Sequence, residues 1–168
     1  MVIFIRFFYK KTLKVENYLI GVYNCKVDSK GRLMIPIQLK KQLSSSLGAS
    51  FILKRSVFHR CLELFAMNSW NNVVADINKL NRFVKKNNDF IRMFTAGVKM
   101  IDLDSNGRLL IPKELKQYAN IKNEVVLSSS GNMIELWNTN DYESTVNNSE
   151  LDFSSMAEDV MGNINNTE

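Results

Sequence analysis

The segment Asp28-Ser29-Lys30-Gly31-Arg32-Leu33-Met34-Ile35-Pro36 occurs again as Asp104-Ser105-Asn106-Gly107-Arg108-Leu109-Leu110-Ile111-Pro112. Seven of the nine positions are identical, at a constant offset of 76 residues from Asp28 to Asp104. A short chain carrying such a duplication is two copies of one small unit, and an internal repeat constrains the fold before any other feature does. It also places an Arg just after a tight turn in each copy, at Arg32 and Arg108.

The 168 residues suffice for one or two ordinary domains, and 45% hydrophobic content supplies a core. The net charge of +5 hides a strong asymmetry. All 22 Lys and Arg lie at or before Lys122, against eight acids there, so residues 1–122 carry +14. Residues 123–168 hold nine acids and no Lys or Arg, hence −9. A basic body of this kind suits a polyanionic partner such as nucleic acid, although a solvated basic surface is the plainer use of the same charges. The acidic end is expected to solubilise the chain or to shield its basic face. Cys25 and Cys61 form no C-x-x-C, and His59 is the single His. A tetrahedral zinc site needs about four N, S or O ligands at suitable spacing, so no metal or cofactor is expected. The two Cys read as reduced, packed thiols. No apolar run approaches the roughly 20 residues of a membrane span, so no membrane partner is expected.

Residues 1–18 lie outside the repeat and read as an extension, with an added strand as one use. Their charges follow the apolar stretch, which is the wrong order for a signal peptide. Val22 to Val27 alternates and is rich in strand formers. Asp28 to Gly31 has the chemistry of a type I turn closed by a Gly bulge, and Arg32 to Ile35 returns as a strand. Pro36 suits the first position of a helix, with Leu39 and Leu43 inward and Ser44, Ser45, Ser46 and Gly48 ending it. Phe51 to Lys54 and Cys61 to Phe65 form a strand pair around a loop holding His59. The second copy repeats the order: strand Val98 to Leu103, turn Asp104 to Gly107, strand Arg108 to Ile111, and a helix opened by Pro112 with Leu115 and Tyr118. Val125 to Leu127 and Met133 to Trp137 make its hairpin, turned at Gly131-Asn132.

Between the copies the period becomes helical. Asn68 or Ser69 is the expected N-cap, and Trp70, Val73, Val74, Ile77 and Leu80 form one face. Asn87-Asn88-Asp89 is expected to break this helix and cap another, with Phe90, Met93 and Phe94 inward and Gly97 stopping it. After the second copy, Phe153, Met156, Ala157, Val160, Met161 and Ile164 make a similar stripe, while Asn163 to Glu168 is expected to fray. Both stripes suit packing or self-association.

With both copies in view, the sequence closely resembles the MraZ family of bacterial transcriptional regulators, built from two SpoVT/AbrB-type units. The resemblance rests on the paired Asp-x-x-x-Arg turns, Asp28 to Arg32 and Asp104 to Arg108, each running on to a Pro. Leu62 to Phe65, Ile134 to Trp137, and the middle segment Asn78 to Phe83 through Phe94 to Gly97 support it. It covers roughly residues 21 to 162; the extension is the departure. It implies an α+β fold in which two tandem units form a pseudo-two-fold, double-split β-barrel with helices, and chains assemble into a ring-shaped homo-oligomer. The corresponding division is an extension over 1–21, a first unit over 22–69, a helical connector over 70–97, a second unit over 98–141, and a C-terminal helix with acidic tail over 142–168. The resemblance further implies a DNA-binding repressor of the division and cell-wall gene cluster, in the cytoplasm and nucleoid. It would read repeated promoter boxes in double-stranded DNA through the Asp-x-x-x-Arg surface.

The chemistry of these residues fits that role. Arg is always charged and carries a planar fork that grips phosphate or bonds guanine O6 and N7. A two-stranded ribbon fits the major groove. Asp28 and Asp104 cannot favour DNA by charge; their expected work is to close the turn or hold the Arg, with Gly31 and Gly107 supplying its backbone. Lys26, Lys30, Lys99 and Asn106 flank the same loops as further phosphate or base-edge contacts. The plainer use of Arg32 and Arg108 is a surface ion pair with each Asp. Lys85, Lys86 and Arg92 add to the positive field, or simply solvate a helix. Two repeated units in a ring would give avidity on repeated boxes. An enzyme is the weaker alternative: His59 has no evident orienting acid for nucleophilic catalysis, and Glu63 and Glu135 read as surface carboxylates on outer strands. An antitoxin-like protein-binding module, using the acidic end, is the other alternative.

Overall fold

A computed structural model of the chain describes residues 18–43, 50–148 and 150–162. The extension before residue 18, Ser44 to Ser46, Gly48, Ile164 and the expected frayed end lie outside the described residues. The first copy contributes strands β1 (Val22–Lys26), β2 (Arg32–Met34), β3 (Phe51–Arg55) and β4 (Leu62–Ala66), with helix α1 (Ile37–Gln42) between β2 and β3. Helices α2 (Met67–Ile77) and α3 (Lys85–Thr95) follow. The second copy repeats the plan as β5 (Lys99–Ile101), β6 (Arg108–Leu110), α4 (Lys113–Tyr118), β7 (Glu124–Ser130) and β8 (Met133–Trp137), followed by α5 (Thr139–Val146) and α6 (Phe153–Gly162). This is the expected mixed α+β class.

The copies are interlocked rather than set side by side. A six-stranded antiparallel sheet runs β1-β7-β8-β4-β3-β5, and β2 pairs with β6 in a separate two-stranded ribbon. Each copy's first strand therefore lies on the other copy's hairpin: β1 on β7 and β5 on β3. The sequence suggests that β1 turns back onto β2. The two strands instead part after a single bridge, Val27 to Leu33, and Leu103 to Leu109 repeats the arrangement in the second copy. The reason is backbone satisfaction. A three-residue strand resting only on its own turn leaves half its polar groups without partners, which burial does not tolerate. The second copy offers a nearly identical strand in antiparallel register, Arg32 to Leu110, Leu33 to Leu109 and Met34 to Arg108. The ribbon is extended where Ile111 N–H donates to the Gly31 carbonyl at 2.9 Å.

The core forms between the sheet and the ribbon. Leu33, Leu39, Leu53, Leu62, Leu109, Leu115, Val125 and Leu136 are all fully buried in one cluster. Leu39 and Leu43 point into it as expected. Leu19 joins this core too, and its N–H donates to the Gly131 carbonyl, so the chain docks on the β7–β8 turn before β1 begins. That turn is the expected Gly131-Asn132, with Gly131 at φ +62°.

Helix boundaries depart from expectation. Pro36 and Pro112 are N-cap residues with extended ψ, one position before the first helical residue. Ala66, not Asn68 or Ser69, precedes α2, and no side chain caps it. Asn87, Asn88 and Asp89 lie inside α3. Their amides do not break the helix: Asn87 and Asn88 reach back six residues to the carbonyls of Asn81 and Arg82, satisfying the real break between α2 and α3. α5 was not expected. Its cap is Asn138, whose Oδ1 accepts from Asn140 N–H at 2.9 Å and Asp141 N–H at 3.2 Å, so two helices trail the second copy, as two trail the first. Phe94 stacks on Trp70, which meets Phe65 on the sheet. Met93, expected inward, is 78% exposed, and Phe90 is exposed as well.

Glu63 and Glu135 are not on outer strands. They face each other across β4 and β8, at the centre of the sheet. Glu63 Oε2 is 2.8 Å from Lys54 Nζ, which is fully buried, donates also to the Arg55 carbonyl and lies 4.3 Å from the centre of the Phe94 ring. Removing one partner of a buried pair strands the other charge, at about 3–5 kcal/mol. Lys54→Ala is therefore expected to lower the urea-unfolding free energy by about that amount, whereas Lys54→Met with Glu63→Leu recovers most of it.

Candidate nucleic-acid interface

Each Asp-x-x-x-Arg turn is closed by its own carboxylate. Asp28 Oδ1 accepts from the N–H groups of Lys30 and Arg32, both at 2.9 Å, and Oδ2 accepts from Arg32 Nε at 2.7 Å. Asp104 makes the same three bonds to Asn106, Arg108 and Arg108 Nε, at 2.9, 2.9 and 2.7 Å. The turn backbone is also paired, with Gly31 N–H on the Asp28 carbonyl and Gly107 N–H on the Asp104 carbonyl. Gly31 and Gly107 sit at φ +83° and +73°, in the left-handed region where a Cβ is disfavoured. Asp and Gly together close each turn.

The same bonds fix each Arg. The carboxylate takes Nε and leaves the two terminal guanidinium nitrogens, the pair that matches guanine O6 and N7 or a phosphate, for an outside acceptor. Arg32 and Arg108 keep 32% and 28% of their side-chain surface exposed. Alternation along the ribbon buries Leu33 and Leu109 and turns Arg32, Met34, Arg108 and Leu110 outward. Arg32 lies opposite Leu110 and Met34 opposite Arg108. The two Arg residues thus stand on a diagonal of one outward face, each beside its own turn.

The other expected contacts divide. Lys30 and Asn106 are exposed at equivalent turn positions. Lys26 is exposed at the end of β1, directly across from Glu124. Lys99 is on β5, and its Nζ lies 3.2 Å from Glu114, so its charge has a carboxylate partner. Lys85 and Arg92 both pair with Asp89 on α3. Lys40 of α1 was missed. Its Nζ lies 3.6 Å from Met34 Sδ, and its side chain crosses Gly107 where a Cβ would clash with it, bringing a cation from one copy to the other copy's turn. Met34 and Leu110 were missed as well, although the buried alternation of Leu33 with Ile35 was a signal for them.

His59 packs its ring against Trp137 at 5.1 Å. Burial pushes the Cys61 thiol up to about 12, so it holds no thiolate near neutral pH. Among the described residues no group of three or more His, Cys, Asp or Glu could hold a metal ion, and no helix is long and apolar enough to cross a membrane.

A family model described as "MraZ protein, putative antitoxin-like" matches residues 18–93 and again 93–164. Among curated proteins, the transcriptional regulator MraZ of Flavobacterium psychrophilum is 57% identical over 152 residues, covering 90% of this chain and 97% of the relative. That of Christiangramia forsetii is 57% identical over 145 residues, covering 86% and 94%. That of Pediococcus pentosaceus is 33% identical over 141 residues, covering 84% and 95%.

The Asp carboxyls give the turns a measurable acid limit. The Arg32 backbone N–H is the main cause that holds Asp28 below its ordinary 3.8, with the Arg32 side chain and Lys30 N–H assisting. Arg108 and Asn106 do the same for Asp104. A carboxylate whose pKa is lower in the folded than in the unfolded chain stabilises the fold above the unfolded value and loses that contribution as pH falls through the folded one. Carboxyl NMR titration is expected to give Asp28 and Asp104 midpoints below 3.8. Asp28→Asn with Asp104→Asn should flatten the fall in melting temperature below about pH 4.

Proposed function

The chain belongs to the MraZ family of transcriptional regulators, and we propose that it binds double-stranded DNA with the outer face of the β2–β6 ribbon. Arg32 and Arg108 are the principal contacts. One observation carries this reading: strand exchange brings both duplicated arginines onto a single exposed ribbon, each fork oriented by a buttressing Asp. A two-stranded ribbon is of a size to enter the major groove. Lys30, Asn106 and Lys40 border the same face and Lys26 lies two residues before the first turn, while Lys99 contributes less because Glu114 neutralises it.

The wider architecture is part of the proposal. The bridges Val27 to Leu33 and Leu103 to Leu109 link the ribbon to both edge strands of the six-stranded sheet, which supports a double-split barrel made from units 22–69 and 98–141. Self-assembly into a ring is supported by apolar side chains left uncovered on α3 and α6, including Met93, Phe153 and Met161. Those helices also differ in charge: Lys85, Lys86 and Arg92 on α3 against Glu158 and Asp159 on α6. A ring would set several ribbons on successive boxes and multiply weak contacts through effective concentration. Repression of the division and cell-wall gene cluster, and residence at the nucleoid, rest on the family resemblance alone.

An antitoxin-like use is the second reading. The family description and the acidic, uncovered α6 favour it. A toxin gene beside this one and co-purification of its product would support it over the first.

The test is a mobility shift on the DNA upstream of this chain's own gene, at stated salt. Arg32→Ala and Arg108→Ala are each expected to cost about 1–3 kcal/mol of binding. Unchanged affinity in both sinks the ribbon reading. Lys30→Ala should lower the salt slope by about 1, whereas Asn106→Ala should leave it unchanged, because only Lys30 releases a counterion. Light scattering should give a mass several times the chain's 19.4 kDa; a monomer at working concentration counts against the ring.

A further inference from the structure

Two side chains on the ribbon have no part in the turn, the core or the charge. Met34 and Leu110 occupy equivalent positions, 76 residues apart in sequence, and both point outward, 49% and 52% exposed. The core does not require them: Leu33 and Leu109, fully buried, anchor the same two strands. Neither can bond a phosphate. Each nevertheless stands directly opposite an arginine, Leu110 across from Arg32 and Met34 across from Arg108. The duplication thus sets an aliphatic group beside an arginine twice on one face.

We propose that Met34 and Leu110 read the 5-methyl groups of thymine in the major groove; this rests on the ribbon being the DNA-binding surface. Thymine is the base whose major-groove edge carries a methyl group, and an apolar side chain recognises it by excluding water from both. The spacing suits the task. Residues two apart on a strand are roughly 6.8 Å apart, about two base-pair steps of 3.4 Å. In this antiparallel register each of those two levels holds one arginine and one aliphatic group. The arginine can take a guanine edge while the neighbour takes a methyl from an adjacent pair. Met34 is a flexible thioether able to follow the groove floor, and Lys40 Nζ at 3.6 Å from its sulfur sits beside it as a cation for a flanking phosphate.

Uracil differs from thymine only by that methyl, so the experiment needs no change to the protein. Fluorescence anisotropy would compare the upstream duplex with versions in which single thymines are replaced by uracil. The wild type is expected to lose about fourfold in affinity at each contacted thymine, the factor for burying one methyl-sized group, and nothing at the others. The double variant Met34→Ala, Leu110→Ala should bind the thymine duplex more weakly and no longer distinguish uracil, with its melting temperature unchanged because both sites are exposed. Equal affinity of the wild type for every duplex overturns the proposal. So does a small loss spread evenly over all thymines, which reports duplex mechanics, or a double variant that keeps the full thymine preference. The Arg32→Ala and Arg108→Ala variants separate the two levels of failure. If they bind normally, the ribbon reading itself falls; if they lose binding while uracil is tolerated, only the methyl reading falls.

Discussion

The antiparallel contact between β2 and β6 is what the rest of the structure hangs on. These strands are three residues each, too short to persist without partners. Pairing them across the duplication satisfies their backbone, buries Leu33 and Leu109 together, and forces β1 and β5 onto the opposite copies' hairpins. A chain cannot place one copy correctly without the other, so the two repeats fold as one body with a shared core. The same contact decides the surface, because strand alternation that buries the leucines must turn the arginines outward.

Under the proposed function, the Asp–Arg pairs would not compete with DNA for the arginines. An exposed pair adds little stability, and a carboxylate beside DNA repels phosphate. Here two of the carboxylate's three bonds are to backbone N–H groups of the turn. Its negative charge is largely spent on those dipoles and on one edge of the guanidinium. What the pair supplies is a held rotamer, which would lower the entropy lost if the remaining nitrogens met an acceptor. Gly31 and Gly107 keep the turn tight enough for one side chain to span four residues.

Much of this was legible in the sequence because it is local. Asp28 to Gly31 and Gly131-Asn132 carry their turn chemistry in adjacent residues, and the strand segments alternate. The duplicated Arg and its partner Asp could be named from the repeat alone. Strand exchange could not be read, since β1 satisfies the same hydrophobic pattern whether it lies on β2 or on β7. Asn87 and Asn88 misled because their amides serve carbonyls six residues back rather than the helix start next to them. Glu63 looked like a surface residue because its compensating charge, Lys54, comes from a neighbouring strand. Lys40 reaches the second turn only because the copies interlock. In each case the deciding partner is distant in sequence.

The copies have also diverged in ways that break the pseudo-symmetry of the ribbon. Glu63 is met across its strand pair by Lys54, whereas the equivalent Glu135 is met by Ser128 and accepts from the Trp137 indole instead. On the ribbon, Lys30 is replaced by Asn106 and Met34 by Leu110. A perfect two-fold ribbon would suit a palindrome and could not tell one direction along the duplex from the other, since operator symmetry mirrors protein symmetry. These two substitutions break the symmetry at the outward face while Leu33, Leu109 and both Asp–Arg pairs preserve it beneath. The frame is thus kept two-fold where pairing needs it and made directional where DNA would be met. Under the proposed function, repeated boxes read in one sense would need that combination.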